Sequence, residues 1–328
     1  MNTILNIDNL SVDFNTEYGV VHAVDRVSYT VSRGQVVGIV GESGCGKTMT
    51  ALAIMRLLDN VVGASVKGTI LFEGQDLLSL TEKQMHKVRG NEIAMIFQEP
   101  MTSLNPILTI GRQITEILEL HLKMTYKEAN ERAAELLDLV GFSDPYQRLK
   151  DYPQQLSGGM RQRVMIAMAI SCNPKLIIAD EPTTSLDVTI QAQILDLIMD
   201  ISAKSGTALM LITHNLGLIA RYAEKVIVMY AGSIVEEGRA NQIYYDSHHP
   251  YTLGLLKAVP RIDGNINKKL ITIEGNPPEE TDQLIGCSFE PRCMYSVDKC
   301  KIETPELSLI EKNHLASCWQ SMELEKMR

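Results

Sequence analysis

The stretch Gly41-Glu-Ser-Gly-Cys-Gly46-Lys47-Thr48 follows the apolar run Val36-Val-Gly-Ile-Val40 and precedes a helical pattern over residues 48–58. A run of mostly β-branched apolar residues predicts a strand that is buried on both faces. The pattern G-x-x-x-x-G-K-[ST] between such a strand and a helix is typical of a phosphate-binding loop, and this placement disfavours a chance glycine turn. Lys47 would contact the β- and γ-phosphates of a nucleotide, and the Thr48 hydroxyl would bind Mg²⁺.

A second candidate site element is the segment Leu176-Ile-Ile-Ala-Asp180-Glu181-Pro182, an apolar strand that ends in two acids. Carboxylates at the C-terminal edge of a strand stand where α/β folds bind ligands. Asp180 would hold Mg²⁺, directly or through water, and Glu181 would orient and partly deprotonate the water that attacks the γ-phosphate. Taken alone, such a pair is more often a solvated strand end, but together with the loop at residues 41–48 it favours the catalytic interpretation.

The order of the elements predicts an α/β fold. Helical spacing covers residues 110–140 with Gly141 as a stop signal, and further helices are expected from Ser157 and over residues 190–203. Strands are expected over residues 176–179 and 209–213, so strands and helices alternate and predict a mainly parallel sheet. The composition changes near residues 246–250, which predicts one domain over residues 1–245 and a C-terminal extension over residues 246–328.

Composition narrows the possible locations and ligands. The chain has 328 residues, of which 45% are hydrophobic and 22% charged, as in ordinary globular proteins. Its apolar stretches are far shorter than the roughly 20 residues that span a bilayer, and its N-terminus lacks a signal-peptide pattern. We therefore expect a cytoplasmic protein that reaches a membrane only through a partner. The net charge of −9 argues against nucleic acid as the main ligand.

The segment Leu156-Ser-Gly-Gly-Met-Arg-Gln-Arg163 resembles the signature LSGGQxQR of ABC ATPases, with Met160 in place of the usual Gln. Ser157 and the two glycines after it would open a helix whose N-terminus binds an anion. In the ABC family the signature of one subunit closes over the γ-phosphate that the other subunit holds. The resemblance therefore implies a P-loop ABC ATPase core that works as a dimer, with a parallel sheet flanked by helices, an antiparallel β subdomain and an α-helical subdomain at about residues 100–165.

Several other positions match family motifs and take their expected roles from the resemblance. Gln98 matches the Q-loop, Asp187 the D-loop and His214 the switch histidine, and we expect Glu181, His214 and Gln98 to be the catalytic residues. The ATP-binding residues would be Tyr18, Gly41, Ser43, Gly44, Cys45, Gly46, Lys47, Thr48 and Met49. The Mg²⁺ ligands would be Thr48, Gln98 and Asp180, and the residues that contact the partner's ATP would be Ser157, Gly158 and Gly159. A lone tyrosine is usually a core residue, so stacking of Tyr18 on adenine is the weakest of these assignments.

Three segments resemble the ATPase subunits of dipeptide and oligopeptide importers. They are Arg89-Gly-Asn-Glu-Ile-Ala-Met-Ile-Phe-Gln98, Glu99-Pro-Met-Thr-Ser-Leu-Asn-Pro106 and His249-Pro-Tyr-Thr-Leu-Gly-Leu-Leu256. The resemblance implies two transmembrane permease subunits, an extracytoplasmic solute-binding protein and attachment to the cytoplasmic face of the membrane. Such importers commonly carry two different ATPase subunits. The sequence of residues 183–187 resembles the first of these subunits more than the second, which implies a heterodimer. The alternative is a soluble ABC ATPase of translation or DNA repair.

The segment after Gln98 lies where this family docks a helix of its membrane subunit. Met101, Leu104 and Ile107 would form an apolar surface for that contact, unless they are ordinary core residues.

The C-terminal extension holds four of the six cysteines, at positions 287, 293, 300 and 318. Four cysteines close in sequence in a cytosolic chain indicate a tetrathiolate site, although the C-x-x-C pairs of ordinary zinc sites are missing. In the peptide-importer group this arrangement holds a [4Fe-4S] cluster, and the resemblance implies the same ligands here, namely Cys287, Cys293, Cys300 and Cys318. Zinc is the alternative metal, and cysteines without a metal or in disulfides are the remaining possibility.

Overall fold

The computed structural model describes residues 3–99, 103–184, 187–259, 273–278 and 285–324. The chain divides into two compact units. The first comprises Met1–Ile4, Val31–Gln35 and Asp76–Ile212, and the second comprises Leu5–Thr30, Val36–Gln75 and Thr213–Arg328.

The secondary-structure elements alternate along most of the chain. The strands are β1 (Thr3–Thr16), β2 (Gly19–Ser32), β3 (Val36–Val40), β4 (Ala64–Phe72), β5 (Gln75–Asp76), β6 (Ile93–Ile96), β7 (Leu176–Asp180), β8 (Ala208–Thr213), β9 (Lys225–Tyr230), β10 (Ser233–Arg239), β11 (Ser308–Glu311) and β12 (His314–Ala316). The α-helices are α1 (Lys47–Ile54), α2 (Glu82–Val88), α3 (Ile110–Leu122), α4 (Tyr126–Leu139), α5 (Pro145–Arg148), α6 (Gly158–Ile170), α7 (Val188–Ser205), α8 (Leu216–Tyr222), α9 (Ala240–Tyr245), α10 (Pro250–Ala258) and α11 (Asp298–Ile302). Short 3₁₀ helices cover Leu77–Ser79, Pro153–Gln155 and Glu290–Arg292.

The first unit is built on three parallel strands. Strand β7 pairs with β6 on one side and with β8 on the other, and all five residues of β7 are buried. Helices α3, α4 and α6 pack against one another, and α6 also contacts β6 and α7. The parallel strands therefore carry Asp180 at the C-terminal end of β7, as the sequence pattern predicts.

The predicted helical region over residues 110–140 is two helices. Helix α3 ends at Lys123, whose backbone is left-handed with φ 58°. Thr125 then starts α4 with a capping box, because its hydroxyl accepts from the N–H of Glu128 while the Glu128 carboxylate accepts from Thr125. A strong start signal at Thr125 thus interrupts a pattern whose apolar spacing looked continuous.

The second unit contains two sheets. In the first, the strand order is β2-β1-β4-β5, and β1 pairs antiparallel with β4 from Leu5 opposite Phe72 to Phe14 opposite Ala64. Strand β1 is continuous over its 14 residues, with a shift of register between Asp8 and Ser11. This is an antiparallel β region of the kind that the ABC resemblance implies.

The second sheet of this unit has the order β11-β12-β10-β9-β3. Strand β3 is parallel to β9, whereas β10, β12 and β11 continue the sheet in antiparallel pairs. The expected mainly parallel sheet therefore has an antiparallel edge that the C-terminal segment supplies. The domain boundary predicted at residue 245 stays a prediction, but residues 308–316 share a sheet with residues 225–239. The α/β fold class is confirmed.

Buried polar side chains fix the C-terminal segment in this sheet. The Nε2 atom of His314 lies 2.8 Å from the Glu236 carboxylate, and both side chains are fully buried. The same carboxylate accepts from the backbone N–H groups of His248 and His249. His249 in turn caps α10, because its Nδ1 accepts from the N–H of Tyr251 at 3.1 Å.

Across the part of the chain that the structure describes, none of the helices is both long and apolar enough to cross a membrane.

The buried cap at His249 predicts a loss of stability in acid. Burial lowers the pKa of His249 from 6.5 to about 3. As the pH falls below about 6.5, His249 becomes protonated in the unfolded chain but stays neutral in the folded chain. The free energy of unfolding therefore decreases by up to about 1.4 kcal/mol per pH unit. His249→Asn keeps a good cap and does not titrate. Between about pH 6.5 and pH 5 the melting temperature should fall more steeply in the wild type than in His249→Asn, and equal slopes would contradict this assignment.

Candidate functional site

The predicted phosphate-binding loop lies between β3 and α1 in the second unit. Lys47 is buried, and its ammonium group donates hydrogen bonds to the carbonyl oxygens of Gly41 and Glu42, each at 2.8 Å. These carbonyls hold the ammonium at the loop, where phosphate oxygens of a nucleotide could replace them as acceptors. Ser43 and Gly44 are exposed, so the outer part of the loop is open to a ligand.

Two glycines of the loop are required by close contacts as well as by backbone angles. Gly41 has φ 156° and Gly46 has φ 98°. A Cβ atom at Gly41 would collide with the carbonyl of Met229, and one at Gly46 would collide with the carbonyl of Ala23. The backbone of the loop is therefore packed directly against its neighbours, and larger residues at these two positions would force it out of shape.

The start of α1 is suited to an anion. Gly46 is the residue before the helix, and within the described residues no side chain caps its first turn. The first N–H groups of a helix have no partner within the helix, and its dipole places partial positive charge there. Thr48 and Met49 are half-buried in this turn. Cys45 is buried, with its sulfur 3.6 Å from Lys47 Nζ.

The two acids predicted to be functional lie at the end of β7 in the first unit. Asp180 is buried, and Glu181 has a left-handed backbone with φ 45°, a conformation that is strained for a residue with a side chain. The Glu181 carboxylate accepts from Gln98 Nε2 at 3.1 Å and from the Thr184 hydroxyl at 2.8 Å. The structure thus brings Gln98 and Glu181 together and adds Thr184, which sequence reasoning did not single out.

The predicted signature segment forms the start of α6, as expected. Ser157 is the N-cap and accepts from the N–H of Met160 at 3.4 Å. Ser157 and Gly158 are exposed, and Gly159 faces Ile190 of α7. This helix end therefore presents N–H groups to solvent, where a ligand held by another chain could reach them. Asp187 is also exposed and caps α7 by accepting from the N–H of Ile190 at 2.9 Å.

The remaining predicted site residues lie on the surface of the second unit. His214 is exposed and directly follows β8. Tyr18 lies in the turn between β1 and β2 and is 91% exposed, so its ring is available for stacking. Their roles stay predictions.

The predicted docking surface is only partly apolar and exposed. Leu104 is 2% exposed, so it is a core residue rather than part of a docking surface. Ile107, in contrast, is 79% exposed. Met101 lies outside the described residues.

Sequence reasoning missed two side chains that contact the loop. The N–H of Glu42 donates to the hydroxyl of Tyr251 at 2.8 Å, and the Glu42 carboxylate accepts two hydrogen bonds from Arg292. Tyr251 and Arg292 are 209 and 250 residues away in sequence, and no motif connects them with the loop.

The predicted four-cysteine iron–sulfur site is wrong. All four cysteines lie within the described residues. Among those residues, side chains that could hold a metal ion, with ligand atoms within 4.8 Å of one another, come together at Asp246, His248 and His314. This group contains no cysteine. All six cysteines of the chain are free thiols. Proximity in sequence thus did not produce the tetrathiolate cage that either iron–sulfur or zinc would need.

Comparison with known proteins agrees with the arrangement of these elements. Residues 24–184 match the family described as "ABC transporter", and residues 235–300 match "Oligopeptide/dipeptide transporter, C-terminal region". The chain is 50% identical over 319 residues to the oligopeptide transport ATP-binding protein AppD of Bacillus subtilis, covering 97% of each chain. It is also 50% identical over 315 residues to the dipeptide transport ATP-binding protein DppD of Escherichia coli, covering 96% of each chain.

Solved structures with a similar fold are ATP-binding cassettes. The dimeric cassette MJ0796 in a post-hydrolysis state bound to ADP and phosphate is 26% identical, with a TM-score of 0.64 over 72% of this chain and 98% of that chain. CbiO1 of Clostridium perfringens, described as part of the ABC transporter complex CbiONQ, is 24% identical and has a similar fold, with a TM-score of 0.63 over 75% of this chain and 92% of its own.

The close packing at Gly46 predicts a specific defect in nucleotide binding. Gly46→Ala should weaken binding of Mg-ATP by roughly tenfold or more, because the added Cβ both strains the backbone and displaces the loop from Ala23. Gly74→Ala is a matched control, since Gly74 has φ 82° but open space around it in the turn between β4 and β5. The measurement is the equilibrium Kd for Mg-ATP. If Gly46→Ala bound ATP as tightly as Gly74→Ala, close packing at Gly46 would not be needed for nucleotide binding.

Proposed function

This chain belongs to the ABC transporter family, among the oligopeptide and dipeptide transport ATP-binding proteins, and from that premise we propose that its ATP hydrolysis powers the import of peptides or related solutes. It is an ABC-type ATPase. The observation that carries the catalytic part of the proposal is the Glu181 carboxylate, which follows a buried strand and is oriented by Gln98 and Thr184. A carboxylate that is oriented in this way can act as a general base.

The phosphate groups of ATP are bound by the loop. Lys47 exchanges its contacts with the carbonyls of Gly41 and Glu42 for contacts with the β- and γ-phosphates. The backbone N–H groups of the loop and of the first turn of α1 surround the phosphate oxygens. Tyr18, whose ring is exposed, stacks on the adenine.

Three side chains carry oxygen atoms of the kind that a magnesium ion prefers. The Asp180 carboxylate and the Thr48 hydroxyl are hard oxygen donors, and the amide oxygen of Gln98 is a third, which is the ligand type that Mg²⁺ prefers. When bound, Mg²⁺ neutralises charge on the β- and γ-phosphates.

In the proposed hydrolysis step, Glu181 and His214 act on the attacking water and on the γ-phosphate. Glu181 accepts a proton as a water oxygen attacks the γ-phosphorus, the bond from that phosphorus to the β-phosphate bridging oxygen breaks, and ADP leaves. His214 contacts the γ-phosphate and helps to hold it in line with the attacking water.

The signature helix supports a role across a dimer. Ser157 and Gly158 present the exposed N-terminus of α6, which would bind the γ-phosphate of ATP that is held by a second ATPase chain. Asp187 belongs to the same interface. The sequence of residues 183–187 favours a different ATPase subunit as the partner, and hence a heterodimer.

The remaining partners follow from the peptide-transport relatives. We propose two transmembrane permease subunits and an extracytoplasmic solute-binding protein as partners. With them this chain would be a peripheral subunit at the cytoplasmic face of the membrane. The exposed side chain of Ile107 supports an apolar contact with a permease subunit. A role in translation or DNA repair is not favoured, because the relatives named above are transport proteins and the net charge of −9 is unsuited to nucleic acid.

The role of Glu181 predicts a separation of hydrolysis from binding. Glu181→Gln should lower the rate of phosphate release from Mg-ATP by at least roughly 100-fold, because a general base contributes about that much, while ATP binding is retained. Glu135→Gln is the matched control, since that carboxylate lies on the surface of α4 beside Arg132. A Glu181→Gln protein that hydrolyses ATP at the wild-type rate would remove Glu181 from the mechanism.

A further inference from the structure

An arginine of the C-terminal segment is paired with the phosphate-binding loop. Arg292 ends the short helix Glu290–Arg292, and its Nη1 and Nη2 atoms donate to the two carboxylate oxygens of Glu42 at 2.8 and 3.1 Å. This is the bidentate geometry in which a guanidinium binds a carboxylate most strongly. Glu42 is the second residue of the loop Gly41–Thr48, so the pair joins two segments that are far apart in the chain.

The pair is shielded from solvent and its arginine is fixed on other sides. The side chain of Arg292 is 5% exposed and that of Glu42 is 28% exposed. Arg292 Nε donates to the carbonyl of Glu274 at 3.1 Å, and the guanidinium lies 5.8 Å from the ring centre of Tyr230. Its hydrogen bonds with Glu42 raise the pKa of Arg292, so the arginine stays charged. A shielded bidentate pair resists water and salt far better than a surface pair does.

The backbone of Glu42 is held from the same side. Its N–H donates to the hydroxyl of Tyr251, which is fully buried on α10. The Tyr251 ring packs against Tyr230 and Phe289 with ring centres 4.7 and 5.4 Å away. Phe289 belongs to the same C-terminal segment as Arg292, so this segment supports both contacts with Glu42.

Glu42 connects these contacts with the lysine of the loop. The carbonyl of Glu42 accepts from Lys47 Nζ at 2.8 Å and from the N–H of Cys45 at 3.3 Å. Glu42 is therefore fixed through its side chain, its N–H and its carbonyl, and it connects Arg292 with Lys47.

We propose that Arg292 is a positioning residue for nucleotide binding, which, together with Tyr251, holds Glu42 so that the loop has its phosphate-binding shape before ATP arrives. The proposal rests on the proposed function, because it requires that the loop binds ATP. A loop that is only partly in the competent shape binds ATP more weakly by the competent fraction. Linkage is reciprocal, so bound ATP stabilises the docked C-terminal segment by the same factor by which that segment strengthens ATP binding.

The test compares ATP affinity, KM and kcat of the full-length wild-type chain and its variants. Arg292→Met should raise the Kd and KM for Mg-ATP by roughly tenfold, since it removes hydrogen bonds to a charged group, and should leave kcat within about twofold. Glu42→Gln should act in the same way. Arg292→Lys should recover part of the affinity, and the double variant Glu42→Gln/Arg292→Met should be no weaker than the single variants, because both changes remove the same interaction.

A matched control separates this role from general stability. Lys225→Met removes the ion pair between Lys225 and Glu237, whose side chains are 16% and 14% exposed and lie in the same unit. It should lower the melting temperature without changing the Kd for Mg-ATP.

Each outcome decides between the possibilities. If the wild type does not bind Mg-ATP, the proposed function fails. If it does, and Arg292→Met binds within twofold of it or no more weakly than Lys225→Met, the positioning role is overturned while the proposed function stands. Should Arg292→Met fail to fold, Glu42→Gln and Arg292→Lys carry the same test.

Discussion

The close packing of one loop backbone is the constraint on which the proposed nucleotide site depends. Gly41 and Gly46 press against the carbonyls of Met229 and Ala23, and Lys47 returns to the carbonyls of Gly41 and Glu42. A loop that is fixed before the ligand arrives pays little ordering entropy on binding. Its N–H groups can therefore be directed at phosphate oxygens without a large rearrangement.

Described residues of the C-terminal segment share a sheet with the unit that carries the loop at residues 41–48. Strands β11 and β12 extend the sheet that contains β3, and the buried pair of Glu236 and His314 fixes that extension. Arg292 and Tyr251 bring the same segment to the loop itself. Within the described part of this segment, residues 308–316 are held in place because they extend an existing sheet.

The sequence allowed prediction of those features that depend on local pattern. In three places a strand or helix with a clear apolar pattern adjoins a motif whose function allows few residue types. These are the loop after β3, the acids at the end of β7 and the helix start at Ser157. The break between α3 and α4 was missed, because apolar spacing continued across Lys123 while the capping signal at Thr125 was overlooked.

Features that depend on distant residues could not be predicted in this way. The contact of Arg292 with Glu42 joins residues 250 positions apart and leaves no spacing signal. The cysteine prediction failed for a related reason, since sequence spacing does not determine where sulfur atoms lie after the chain folds. Leu104 became a core residue because burial depends on the tertiary packing of its neighbours.

The N-terminus of α6 at Ser157 and the loop at Lys47 are the two proposed anion sites, and an ATP shared by two chains would use one site from each. Sedimentation velocity of Glu181→Gln, alone and with a second ATPase subunit, tests this sharing most directly. Mg-ATP should convert the monomer into a two-chain species, and adding Ser157→Arg should abolish that species while each chain still binds ATP. A Glu181→Gln chain that binds ATP and remains monomeric in both settings would contradict it.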